Sequence, residues 1–127
     1  MAMTTIPSAI EQYRQALNGL DRAAYHAAFT TDAVVLDPYG GRPLEGSAGL
    51  DRFFNGLERT WATFTMTYGA AYASGDRVAV NWQVEATAKS GKGATFAGIN
   101  VFTLTESGLI SRLEGYWDAR AMMAQLA

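Results

Sequence analysis

Cysteine is absent from this chain of 127 residues, and histidine occurs once, at His26. The first absence excludes disulfides and thiol nucleophiles. The second removes most zinc sites. A Ser-His-Asp arrangement would have to use His26, which falls within a helical stretch with no nucleophile motif beside it. Lysine is almost as scarce: Lys89 and Lys92 flank Gly91 in Ser-Gly-Lys-Gly, which reads as a hairpin tip, where an amine is hard to desolvate. The basic residues are scattered and the net charge is -2, so no stripe exists to track phosphates and nucleic acid is not an expected partner. No apolar run reaches about 18 residues, which excludes a membrane-spanning helix. Met1 to Ser8 lacks the basic-then-apolar order of a signal peptide, so the expected location is the cytoplasm. Nothing in the sequence points to a metal or an organic cofactor.

Hydrophobic residues make up 49% of the chain and charged residues only 17%, which supports a real core in one domain spanning residues 1–127. Ile6, Ile10, Tyr13, Leu17 and Leu20 recur at helical spacing, and Asn18-Gly19 ends that helix. Asp21 is placed to cap a second short helix with Ala24, Ala27, Ala28 and Phe29 on one face, closed by Thr30-Thr31-Asp32. Val34-Val35-Leu36 reads as a short strand stopped by Asp37-Pro38, and Gly40-Gly41-Arg42-Pro43 as a turn. A third helix follows, with Ser47 as its expected N-cap and Leu50, Phe53, Phe54 and Leu57 facing inward. Four extended segments complete the chain, roughly 61–73, 77–89, 94–105 and 109–119, with glycine-bearing hairpin turns between them. Helices segregated from an antiparallel sheet imply the α+β class. A curved antiparallel sheet wrapped around three N-terminal helices forms a cone with an apolar interior.

Four polar residues stand out against this pattern. Asp37 ends a buried strand, and Pro38 holds it extended. There it either starts a turn or projects a partly desolvated carboxylate, with a raised pKa, into a pocket. Tyr13 lies on the apolar stripe of the first helix, as a core tyrosine bonded to a carbonyl or as a donor to a substrate oxygen. Asn100 alternates with Phe96, Gly98, Phe102 and Leu104, an amide in an aromatic row that is either structural or an uncharged donor. Asp118 shares a strand face with Tyr116 and Glu114 and is either solvated or a second acid. The glycines between Gly40 and Gly49 lack the ending of a phosphate-binding loop.

Taken in order, these segments resemble the ketosteroid (Δ5-3-ketosteroid) isomerases of the nuclear transport factor 2-like, SnoaL-like superfamily, whose fold is the cystatin-like cone. Residues 10–18, with Tyr13, are similar to the helix that carries the family's oxyanion-hole tyrosine. Val34-Val35-Leu36-Asp37-Pro38-Tyr39-Gly40 resembles its general-base segment, 46–54 its third helix, and 97–102 the strand with its second oxyanion donor. The resemblance implies that Asp37 moves a proton between two carbons of a β,γ-unsaturated ketone while Tyr13 and Asn100 hold the dienolate oxygen. It implies no metal or cofactor, and a homodimer built on the outer sheet face, here Asn81, Gln83, Thr65 and Thr67. Asn100 stands where the family has a protonated aspartic acid. Phe54 and Phe29 stand where the family has tyrosines that support the oxyanion tyrosine.

The expected partner is a hydrophobic small molecule, possession of which by the pocket rests on its walls. Val80, Trp82 and Val84 share one strand face, and Phe64, Met66 and Tyr68 another. With Phe54, Leu57, Phe102, Tyr116 and Asp118 they form the expected substrate-binding set. Two other readings use the same scaffold: a polyketide cyclase or epoxide hydrolase-like enzyme with Asp118 as its acid, and a binding protein without catalysis.

Overall fold

The computed structural model describes residues 5–127; Met1 to Thr4, part of the segment read for a signal, lie outside the described residues. The elements run α1 (Ser8–Asn18), α2 (Arg22–Ala27), β1 (Phe29–Leu36), β2 (Leu44–Glu45), α3 (Gly46–Thr60), β3 (Trp61–Ser74), β4 (Arg77–Ala88), β5 (Gly93–Leu104), β6 (Ile110–Trp117) and α4 (Ala119–Leu126). Six strands form one sheet in the order β2-β1-β6-β5-β4-β3. The meander β3 to β6 is antiparallel throughout, as its alternating pattern predicts. β1 pairs with β6 in parallel, which makes the sheet mixed rather than wholly antiparallel. A parallel pair needs a long crossover, and α3 with four strands supplies it.

Apolar periodicity explains where the helices dock. Ile10, Tyr13 and Leu17 on α1 and Leu50, Phe54 and Leu57 on α3 are all buried against the sheet, each large side chain contributing roughly 1.5–3 kcal/mol. β3 is an edge strand, and α1 closes part of that edge. The Asn18 side chain donates to Met66 O at 3.1 Å and accepts from Met66 N at 2.7 Å, in the manner of a strand partner. Tyr68 Oη donates to Ile10 O at 2.9 Å. The register of β3 against β4 shifts between Tyr68 and Ala71, an irregularity of the kind that bends a strand.

Several sequence expectations change. β1 already begins at Phe29, so Phe29 and Thr30-Thr31-Asp32 belong to the strand, not to α2; the β-branched run Thr30, Thr31, Val34, Val35 favours it. Ser47 lies inside the first turn of α3, and Glu45 holds the capping position without a side-chain bond. Asp21 caps α2 as expected, accepting from Ala24 N at 3.1 Å. The last strand stops at Trp117 and a fourth helix, α4, follows where strand was expected to run on to Ala119. Its sequence, rich in alanine and methionine, has high helix propensity, and Asp118 caps it by accepting from Ala121 N at 3.0 Å.

Candidate active site

Between the concave sheet face, α1, α3 and α4 lies a cavity of about 330 Å³, at the small end of the range of ligand pockets. Apolar groups make most of its wall: Leu17, Phe53, Leu57, Trp61, Phe64, Met66, Phe96 and Met122. Three polar side chains reach it from three separate elements: Tyr13 from α1, Asp37 from the end of β1 and Asn100 from β5. These are the three residues predicted to act together. Arg52, Thr60 and Met123 also border the cavity.

Asp37 borders the cavity and is half-buried. Burial raises its carboxyl to about 6, against the opposing effect of a hydrogen bond from Trp117. Trp117 Nε1 donates to Asp37 Oδ1 at 2.5 Å. Trp117 in turn stacks on Phe96 at 5.3 Å between ring centroids and meets Trp82 edge-on at 6.1 Å. Asn100, only 1% exposed, accepts from Trp82 Nε1 at 2.9 Å through Oδ1. Its Nδ2 makes no hydrogen bond to the described residues.

Tyr13 is 1% exposed and packs edge-on against Phe102 at 5.4 Å. Burial, then the charge of Asp37, pushes its phenol well above the usual range, opposed by the nearby Asn100 amide, whose N–H is turned toward the phenol oxygen without reaching ordinary hydrogen-bond geometry. The phenol therefore stays protonated and able to donate at any ordinary pH. Behind it lies Tyr25, fully buried, with its ring 5.9 Å from that of Tyr13 and its hydroxyl unbonded among the described residues.

Gly115 makes the closeness of the two polar strands possible. It is the cross-strand partner of Asn100. A Cβ on Gly115 would lie 2.9 Å from Asp37 Cγ and 3.1 Å from Asn100 Oδ1. Gly98 does the same for the indoles, since a Cβ there would lie 2.8 Å from both Trp82 and Trp117 side-chain atoms. Neither glycine was singled out by sequence reasoning, nor was Trp117 as a partner of Asp37. Trp117 is 80 residues distant from Asp37, and only the sheet brings the two together.

Of the expected substrate-binding residues, Leu57, Met66 and Trp82 line the cavity. Phe54, Val80, Val84 and Phe102 do not; they are buried in the packing behind that wall. The valines share the face of Trp82, but their short side chains are covered. Tyr116 is 45% exposed on the other face of β6, stacked on Tyr39 at 5.5 Å and donating to Glu114 Oε1 at 3.0 Å. Asp118 is exposed and spent as the cap of α4. The strand face that carries Glu114 and Tyr116 thus points away from the cavity, and Asp118 lies beyond the strand. His26 is half-buried and pairs with Asp51 of α3 at 2.8 Å, and it does not line the cavity. No group of three or more metal-ligating side chains occurs among the described residues, and no helix among them is long and apolar enough to cross a membrane.

No curated protein matches this sequence. Among solved structures, the epoxide hydrolase/cyclase-like enzyme SalBIII of pyran ring formation in polyether salinomycin is 27% identical, with a TM-score of 0.78 over 89% of this chain and 90% of that one. The Δ5-3-ketosteroid isomerase of a Mycobacterium species is 26% identical, with a TM-score of 0.79 over 91% of this chain and 94% of that one. A Mycobacterium tuberculosis protein in complex with estradiol-17β-hemisuccinate shares the fold at 20% identity, with a TM-score of 0.77 over 89% and 93% of the two chains. The fold thus recurs in enzymes of similar length, and residues 10–113 match the SnoaL-like domain, to which family the chain belongs.

Proposed function

We propose that this protein is an isomerase that shifts the double bond of a hydrophobic β,γ-unsaturated ketone by internal proton transfer. The observation that carries this reading is a single carboxylate, Asp37, raised to about 6 inside an apolar cavity that also holds Tyr13 and Asn100. A base with that value is largely ionised at neutral pH yet still basic enough to take a proton from carbon. Asp37 removes the proton from the carbon between ketone and alkene. Negative charge moves to the ketone oxygen, where Tyr13 and Asn100 donate to it as neutral groups. Asp37 then returns the proton two carbons away, so the reaction needs no other reactant. The apolar wall suits a flat ligand and excludes water from the enolate.

The homodimer and the cytoplasmic location belong to the same proposal. The exposed residues Thr65, Thr67, Asn81 and Gln83 give the outer face a mild polarity compatible with pairing. In the cyclase reading the acid is Asp118, which faces solvent; among the described residues, Asp37 is the only carboxylate bordering the cavity.

The test is the rise in conjugated-enone absorbance with 5-androstene-3,17-dione, run beside Asp37→Asn. Turnover by the parent and its loss in the variant is the expected result. No turnover, in a folded protein that binds the steroid, sinks the isomerase and leaves a binding protein. Turnover that survives Asp37→Asn overturns the role given to this residue.

A further inference from the structure

An asparagine amide has two unlike ends, and only one is useful to an oxyanion. Its nitrogen donates, whereas its oxygen would repel a developing negative charge. A site that uses asparagine must therefore fix which end faces the ligand. Asn100 is buried, and its two ends are treated differently by their surroundings. Oδ1 accepts from Trp82 Nε1 at 2.9 Å, while Nδ2 makes no hydrogen bond of ordinary geometry to the described residues and lies beside the Tyr13 hydroxyl, whose ionised form it favours. An indole N–H can only donate, so it selects the oxygen and refuses the nitrogen.

Trp82 itself is held firmly. Its ring meets Phe96 at 5.9 Å and Trp117 at 6.1 Å, both edge-on, and Gly98 opposite leaves no room for a side chain between. The indole that orients Asn100 is thus wedged against the indole that bonds Asp37.

We propose that Trp82 is a positioning residue that locks the Asn100 amide with its N–H₂ unspent for the ligand oxygen. The proposal rests on the reading of Tyr13 and Asn100 as oxyanion donors and extends it to ligand class. The locked amide favours ligands with an oxygen acceptor that carries or gains negative charge, such as an enolate or a phenolate, over amines and neutral hydroxyl donors. Trp82 acts through Asn100 and needs no contact with that oxygen.

2-Naphthol, whose fluorescence distinguishes phenol from phenolate, is a suitable probe. Its binding is measured for the parent, Trp82→Phe, Asn100→Ala and the double variant. Loss of an oxyanion donor costs up to roughly 100-fold or more, so mis-setting the amide is expected to weaken naphtholate binding by about 10-fold. Trp82→Phe should then have no further effect when Asn100 is already alanine. Trp82→His, with a ring N–H on a smaller frame, should recover part of the loss. Additive effects of the two substitutions would overturn the proposal, because a purely packing role for Trp82 does not depend on the amide. Failure of the parent to bind naphtholate would instead overturn the oxyanion site itself, and the proposal with it. If Trp82→Phe does not fold, the parent protein carries the test. Saturating 2-naphthol must shift the side-chain NH₂ resonances of Asn100, and unmoved resonances at saturation overturn the proposal.

Discussion

Asp37 holds its proton more tightly in the folded chain than in the unfolded one, and two measurable consequences follow with definite sign. In its proposed role as a base, Asp37 works only when ionised. The rate (kcat/KM) is therefore expected to rise with pH through about 6 and then to stay level, because Tyr13 is pushed upward and Asn100 does not titrate. Trp117→Phe removes the indole N–H that favours the carboxylate, so the midpoint of the profile should move above that of the parent. A midpoint near the ordinary carboxylate value in the parent would show that the carboxyl is not desolvated. For stability, a raised carboxyl contributes fully below about pH 4 and loses that contribution as pH rises through 6. The ionised group at pH 8 then costs about 3 kcal/mol. Asp37→Asn should accordingly be more stable than the parent at pH 8, with the gap closing toward pH 4, as followed by urea unfolding. Asp37 and Tyr13 stood out in the sequence because each breaks a local pattern, a carboxylate at a strand end before proline and a phenol on an apolar helical stripe, but the pattern alone left a turn and a core phenol open, and the family resemblance carried the rest. Trp117 and Gly115 did not stand out, because an indole bonded to a distant carboxylate and a glycine that admits two side chains leave no mark in their own neighbourhood.

At the level of elements, alternation and turn glycines set the strands of the meander to within a residue or two, since half-buried strands must alternate. α4 escaped because its periodic pattern is weak and the strand pattern of β6 runs straight into it. With it went the reading of Asp118, whose carboxylate closes the first turn of α4 instead of facing the cavity. The two roles separate in one variant. Asp118→Ala is expected to cost about 1 kcal/mol of stability through the lost cap and to leave kcat within roughly three-fold of the parent, since surface changes outside a site act weakly. A collapse of kcat with an unchanged melting temperature would restore Asp118 as a catalytic acid. α4 also closes the cavity with Met122, and its hold on β5 is specific. Gln125 accepts from Thr95 N at 2.9 Å and donates to Thr95 O at 2.8 Å.

For the molecule as a whole, the cone was legible from element order, while the closure of the cone at its edge was not. The sheet ends on β3, and an edge strand presents unpaired backbone groups. Asn18, read in the sequence only as the end of a helix, spends both ends of its amide on Met66 of that edge, and Arg14 Nη1 adds a bond to Met66 O at 3.3 Å. The same two turns of α1 carry Tyr13 into the cavity, and Met66 lines it. The hydrogen bonds that seal the edge therefore anchor the same helix that carries the Tyr13 phenol. Asn18→Ala removes two bonds and leaves Met66 N uncovered, a loss of about 2 kcal/mol. For a chain of this size that lowers the melting temperature by roughly 6–10 °C. If α1 owes its register to this clamp, kcat should fall well below the parent at a temperature where the variant is still fully folded, while KM changes little, because the apolar wall is intact. A lower melting temperature with unchanged kcat would mean instead that Ile10 and Leu17, buried in the core, hold the helix and its tyrosine in place without help from the edge.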